Sequence, residues 1–234
     1  MKQLLKLLIF QSLLFCQENF VFNQFLNTYK FNIFSSKKQV GFINLKISSC
    51  SVQDENKNLN DSIFVAELES YTDIPILFFI GETYNHEVEY YDNNFVPKRS
   101  KIVTKDKKNE YITTMQTEKF SEDKYICLFK KENKKVLTKE TYFSQPIITA
   151  GNAIPLVTTL WNFEKERTKK FYFIDKDKLE IKEMKLEYLG ETKDGLFKIK
   201  LILPYFAAKF VLYLDKNKNI KFAEGLGLEI YAVE

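Results

Sequence analysis

The feature that most restricts this chain is an alternation of apolar and polar residues with a period of two. Tyr29, Phe31 and Ile33 fall on one side, with Lys30, Asn32 and Phe34 on the other. Ile43, Leu45 and Ile47 alternate with Asn44 and Lys46, and Met184, Leu186 and Tyr188 with Lys185 and Glu187. Phe197, Ile199, Leu201 and Leu203 alternate with Lys198, Lys200 and Ile202. Successive side chains point to opposite faces only in a strand, so these segments predict half-buried antiparallel strands. Two continuous apolar runs, Phe171-Tyr172-Phe173-Ile174 and Tyr125-Ile126-Cys127-Leu128-Phe129, predict strands covered on both faces.

Polar clusters separate these segments at residues 92–94, 105–109, 131–134, 194–195 and 215–219. Asp and Asn tolerate turn geometry and bond their own backbone, so the clusters predict hairpin connections. Gly225-Leu226-Gly227 fits a turn or bulge before the last strand, because no helix follows to make it a phosphate loop. About a dozen strands at roughly ten-residue spacing result. So many antiparallel strands must curl into a barrel or split into two packed sheets. The 22 Phe, 13 Tyr and single Trp sit in a chain that is 45% apolar, enough buried surface to offset chain entropy and exclude disorder. No internal repeat and no Pro-, Gly- or Ser-rich linker divides the chain, which predicts one domain over residues 20–234.

Two stretches depart from the alternation. Ile74-Pro75-Ile76-Leu77-Phe78-Phe79-Ile80 suits either a strand or a helix. Residues 152–163 predict a short helix. Asn152 is placed to cap it, Pro155 falls in its first turn, and Ile154, Val157, Thr158 and Trp161 recur at helical spacing. The expected fold is therefore mainly β: a large curved antiparallel sheet or partly open β-barrel with one or two short helices at its mouth.

The N-terminus predicts an address. A basic start, Met1-Lys2-Gln3-Leu4-Leu5-Lys6, leads to an apolar stretch from Leu7 to Cys16 and then to Gln17-Glu18-Asn19. This is the order of a secretory signal peptide, here residues 1–16. Its apolar core is about half what a membrane-spanning helix needs, so no transmembrane span is expected in the mature chain. Cys16 follows Phe15 and Leu14 rather than a small residue, which disfavours lipidation. The expected location is exported, periplasmic or outer-envelope associated. Export makes a disulfide between Cys50 and Cys127 available; two buried thiols in apolar strands are the alternative.

Charge and motifs exclude several classes of function. Lys and Arg number 35 against 31 acids, a net of +4, and loss of Lys2 and Lys6 with the signal peptide leaves about +2. Only Arg99 and Arg167 are arginines, and the lysines interleave with Asp and Glu. That pattern makes a solvated surface rather than a stripe for nucleic acid. No Gly-x-Ser-x-Gly elbow, P-loop or dinucleotide turn occurs, so no catalytic residue and no cofactor is expected. His86 is the single histidine, and in Tyr84-Asn85-His86-Glu87-Val88-Glu89 it falls on the face opposite Glu87 and Glu89. No multi-histidine metal site exists within one chain, and the 31 acids mark no single pair as catalytic.

The order of features resembles an exported bacterial all-β family of unknown function. The residues that carry the resemblance are Tyr29-Lys30-Phe31, Val40-Gly41-Phe42 and Glu89-Tyr90-Tyr91 followed by Phe95-Val96-Pro97-Lys98-Arg99, then the segment from Ile147 to Trp161, and the closing stretch from Phe210 to Ile220. The architecture is also similar to the curved, incompletely closed sheets of lipoprotein carriers. The resemblance implies no catalytic residues. With the aromatic inventory, it leads to the expectation of a non-enzymatic protein holding an apolar small molecule such as a lipid or acyl chain, with Ile154, Val157, Trp161 and Phe78 as ligand contacts. The alternative is a cell-envelope structural or assembly protein that binds an envelope protein.

Overall fold

The computed structural model describes residues 27–53, 60–73, 82–91, 97–107, 109–121, 124–132, 136–143, 147–149, 161–175, 179–202 and 209–233. They form fifteen strands of one sheet. The first eight are β1 Thr28–Ser35, β2 Lys38–Gln53, β3 Asn60–Asp73, β4 Glu82–Tyr91, β5 Pro97–Asp106, β6 Glu110–Ser121, β7 Lys124–Glu132 and β8 Val136–Phe143. The other seven are β9 Ile147–Thr149, β10 Thr168–Asp175, β11 Glu180–Glu191, β12 Phe197–Ile202, β13 Lys209–Leu214, β14 Ile220–Gly225 and β15 Leu228–Ala232. Their order across the sheet is β8-β7-β6-β5-β4-β3-β2-β1-β15-β14-β13-β12-β11-β10-β9. Every neighbouring pair is antiparallel except β9 with β10, which is parallel.

This order forces curvature. The two edge strands, β8 and β9, are consecutive in the chain. Laid flat, fifteen strands would hold those edges roughly 65 Å apart, at about 4.8 Å per strand. Only four residue steps separate Phe143 from Ile147, and they reach at most about 14 Å. The sheet must therefore wrap most of the way round. Side chains of the inner face meet accordingly. One buried cluster joins Phe31, Leu45, Ile47, Phe64 and Leu68 of β1–β3 to Met184, Leu186, Ile199, Leu212 and Leu214 of β11–β13. The outward face of the sheet carries Lys46, Glu67, Lys101, Lys185 and Glu187. That polarity is the reverse of a barrel whose outer band faces lipid.

Turn chemistry fixes the tight connections. Ser36 and Lys37 join β1 to β2, and Leu226 and Gly227 join β14 to β15, with positive φ at both residues of each pair (50° and 67°; 55° and 75°). Two consecutive positive-φ residues make the hairpin turn whose twist suits the flanking strands. Asp215 organises the β13–β14 connection, its Oδ1 accepting from the backbone N–H groups of Asn217 and Asn219, both at 2.9 Å. Gly41 allows β2 and β3 to approach: a Cβ there would sit 2.2 Å from the Tyr71 carbonyl oxygen.

Two expectations are corrected. The helices expected at the mouth fall almost wholly outside the described residues, and among the described residues there is no helix. Residues 151–160 and 74–81 lie outside the described residues, but the end of the expected helix, from Trp161 onward, is irregular and turn. The Asn162 carbonyl accepts from the N–H groups of Lys165 (3.2 Å) and Glu166 (3.0 Å), and the chain enters β10 at Thr168. Tertiary contacts of Trp161 fix this reversal. The second correction concerns the continuous apolar runs. In β7 only Cys127 and Phe129 are buried while Ile126 and Leu128 stay half-exposed, and in β10 Phe173 is buried while Phe171 and Tyr172 are half-exposed. One face of each strand is core and the other is surface.

Candidate functional site

The inner wall of the curled sheet has two chemically distinct parts. Along β1–β3 and β11–β14 it is apolar, and the Trp161–Phe163 segment plugs it. Trp161 is 1% exposed. Its indole N–H donates to the Glu166 carbonyl at 2.7 Å, and its own carbonyl accepts from Lys218 Nζ at 3.1 Å. The Phe163 ring lies 4.8 Å from Tyr188 and 5.0 Å from Phe197, centroid to centroid, and 5.7 Å from Trp161. Lys218 Nζ stands 5.1 Å over the Phe163 ring, and its burial there lowers its pKa, a shift that Glu164 opposes. The plug is tied to the β10 approach and to the β13–β14 turn, so the two ends of this arm share one core.

Along β4–β6 the inner wall turns polar. Glu87 and Glu89 are each fully buried, at 0% exposed, with Ser100, Thr113 and Thr117 buried beside them. Register places these groups together: Glu87 lies between Leu68 and Ile102, and Glu89 between Ala66 and Ser100. Tyr91, two residues on and buried on the same face, donates its hydroxyl to Glu89 Oε2. The Ser100 hydroxyl has no hydrogen-bond partner among the described residues. Burying carboxylates costs several kcal/mol per ion, on the order of magnitude that only specific compensation offsets. A wall that merely filled a core would carry apolar side chains here, so this patch is the place in the molecule that asks for a functional account.

Side chains bridge the gap between the arms. Met115, Cys127 and Phe129 of β6 and β7 form a second buried cluster with Leu179, and Ile181 packs against it. Lys139 of β8 meets Glu180 of β11 at 3.1 Å. Lys182 and Lys139 together pull the Glu180 carboxyl down to about 2. The arms thus touch through a small apolar cluster and an exposed ion pair.

On the outward face of β4–β8 two registered rows of residues flank a groove of about 1040 Å³. One row contains Tyr90, Arg99, Gln116, Leu128 and Glu140, and the other Lys101, Thr114, Lys130 and Thr138. Elsewhere the outer lysines stand beside acids, as in Lys185 and Lys200 on Glu187 (2.7 and 3.0 Å) and Lys170 on Glu183 (3.1 Å). Arg99 and Lys101 have no such carboxylate among the described residues.

Of the residues expected to touch a ligand, Phe78, Ile154 and Val157 lie outside the described residues. Trp161 is placed in the core as a plug. Cys127 is a free thiol, 0% exposed, with Thr117 Oγ1 donating to its sulfur at 3.7 Å; burial pushes its pKa up to about 12. Cys50 belongs to β2, five strands from β7 in the sheet order, and its side chain lies outside the described residues. His86 lies on the face opposite Glu87 and Glu89, as its alternation predicts; that face is the outer one, and His86 stands 3.1 Å from Glu67 Oε1. Among the described residues no group of three or more His, Cys, Asp or Glu is arranged to hold a metal ion, and no helix is long and apolar enough to cross a membrane. The period-two reading puts Glu87 and Glu89 on one face; that this face is the inner one follows only from where the strand sits. Family models, curated proteins and solved structures were each compared with the chain, and none matches.

Proposed function

We propose that this protein is an exported, non-enzymatic carrier that holds an apolar ligand, such as a lipid or an acyl chain, against the inner face of its curled sheet. The observation that carries this reading is the size of the curl. About eight strands already enclose an interior that side chains alone can fill, and larger barrels leave a lumen; here fifteen strands wrap round. The wall offered to a guest is apolar over most of its span, and Trp161 and Phe163 form a compact plug that a chain-like guest would lie beside. The N-terminal basic and apolar segments support export to the periplasm or outer envelope. Native mass spectrometry of the gently purified, processed protein tests the reading. An adduct of lipid mass, removed by delipidation and restored by adding dodecanoate, is the expected result. A bare mass that takes up no apolar molecule overturns it, and an unprocessed N-terminus in the native protein overturns export.

A second reading has its own observation. The β8 edge and the adjoining groove with Arg99 and Lys101 suit an envelope protein that presents an acidic segment. Cross-linking followed by recovery of one stoichiometric partner, lost in Arg99→Glu, favours that reading over a carrier.

A further inference from the structure

We propose that the groove outside β4–β8 binds an extended oligosaccharide of the uronate class, a sugar chain that carries carboxylates. This inference concerns the outer face and is independent of the carrier reading. The form of the groove follows from strand register. Its floor is the backbone of Ser100, Met115 and Phe129, whose side chains are buried on the other face. The two rows of outward side chains that wall it stand two residues apart along each strand, about 6.8 Å. It crosses the strands from Tyr90 on β4 to Glu140 on β8, about 19 Å at about 4.8 Å per strand, within a volume of about 1040 Å³. A chain of a few sugar rings has that long and narrow shape.

Arg99 marks the charge that the ligand carries. It and Arg167 are the only arginines among 35 basic residues. Arg167 is used within the protein, its guanidinium 5.8 Å over the Tyr188 ring. Arg99 is exposed in the groove wall, with no carboxylate beside it among the described residues. A guanidinium differs from an ammonium in its planar fork, which grips a carboxylate through two parallel hydrogen bonds. Lys101, two residues on and likewise without a carboxylate, adds a second positive charge, whereas Lys130 is tied to Glu132. The other wall groups suit hydroxyls. Thr114 and Thr138 can each donate and accept, and Gln116, whose amide N–H donates to Glu118 at 2.9 Å, keeps its carbonyl oxygen as an acceptor. Glu140 closes the end away from Arg99; it accepts from a hydroxyl and repels an acid. A continuous run of acidic side chains therefore fits the groove less well than a sugar chain, in which hydroxyls lie between the carboxylates. Tyr90, 39% exposed and paired with Arg99 across the strands, offers apolar ring surface to the C–H face of the sugar that Arg99 holds.

The test is calorimetry on the full processed chain at low salt. The probes are the tetrasaccharides of galacturonate, mannuronate and hyaluronan, the methyl ester of each, and a hexaglutamate peptide. At least one uronate is expected to bind, with its uncharged ester at least about tenfold weaker. Arg99→Lys, which keeps the charge and removes the fork, should weaken the best uronate about tenfold, and Lys101→Gln about threefold. Lys185→Gln, on the outer face but outside the groove, should leave the affinity unchanged. Arg99 and Lys101 are exposed, so neither substitution disturbs the core. Failure of every uronate to bind, equal affinity for acid and ester, or an Arg99→Lys chain that binds as tightly as the unaltered one overturns the site. Tighter binding of hexaglutamate than of any uronate also overturns it, and assigns the groove to the envelope-protein reading. The carrier reading is decided separately, by the lipid adduct.

Discussion

The two arms of the sheet obey the same alternation and use it differently. In the arm made of β9–β15 with β1–β3, inward positions are aliphatic or aromatic, and an irregular segment bearing Trp161 and Phe163 packs on them. In the arm made of β4–β8, inward positions include two glutamates, a serine and two threonines beside the buried Tyr91, Ile102, Met115, Cys127 and Phe129. Strand formation needs only a pleated surface covered on one side. Stability needs apolar area inside that cover, and the first arm holds most of it. The second arm carries groups that cost free energy to bury, and it depends on its neighbour for its shape.

The largest expected effect tests this imbalance directly. Phe163→Ala should destabilise the protein by about 3–5 kcal/mol in chemical denaturation, through lost transfer energy and the cavity left among Tyr188, Phe197 and Trp161. Met115→Ala in the second arm should cost about 2 kcal/mol, the low end for such truncations. Equal losses at the two sites would mean that β4–β8 has a core of comparable weight, and the comparison would break.

Next in size is the Tyr91 hydroxyl, which donates to the buried Glu89 carboxylate. Tyr91→Phe should cost about 1.5–3 kcal/mol, because a hydrogen bond to a buried charge is lost. Tyr213→Phe, whose hydroxyl donates to exposed Glu224 at 2.7 Å, should cost clearly less. A reversed order would show that the inner wall of β4 is wetter than its burial indicates.

Thiol chemistry sharpens the picture of the second arm. Burial holds the Cys127 thiol at about 12, so at pH 8 it should resist a maleimide in the folded protein and react on unfolding. A background with Cys16→Ser and Cys50→Ser isolates it. Rapid labelling under native conditions would reveal frequent opening of β6 and β7.

The smallest effect is at the join between the arms. Glu180 has its pKa lowered from 4.5 to about 2 by Lys182 and Lys139. A carboxyl depressed in the folded state contributes stability above its unfolded pKa and loses it as pH falls through the folded value. The Lys139–Glu180 contact should therefore hold above about pH 4.5 and weaken progressively towards about pH 2. Both side chains are exposed, so global stability should barely change. Hydrogen exchange at β8, corrected for intrinsic rates, should report it, and Glu180→Gln should show the faster exchange already at neutral pH. Unchanged protection in that variant would assign the join to the Phe129–Leu179 cluster alone.

Much of the fold was legible because local alternation is a local property. Tyr29, Phe31 and Ile33 face inward, as do Met184, Leu186 and Tyr188, and the Asp194-Gly195 and Asp215–Asn219 clusters are turns. Pairing partners were not legible, since alternation names a strand's faces and not its neighbours. Nothing in residues 28–35 announces that they bond to residues 228–232, or that β9 lies parallel to β10. The setting of Trp161 was not legible for a related reason: its indole bond to the Glu166 carbonyl is a tertiary contact that spacing along the chain does not announce. The candidate site was half visible. Charges at the core phase of a strand that continues to Tyr91 were there to be read, but a charged face normally faces water.

The meeting of β1 with β15 bears on how such a chain reaches its native state. Every other strand pair joins sequence neighbours, so thirteen ladders form by local zippering and only one requires a loop that spans nearly the whole chain. Two meanders, β1–β8 and β9–β15, are able to grow independently and then dock along the first and last strands. Val233 N–H already donates to the Lys30 carbonyl at 2.8 Å, so the N-terminal end of β1 and the C-terminal end of β15 lie side by side. A circular permutant that joins those ends and opens the chain at residues 144–146 would keep all fourteen ladders and turn the one distant pairing into a hairpin. Its refolding should be faster than that of the natural chain order, with the entropic toll of the long closure removed.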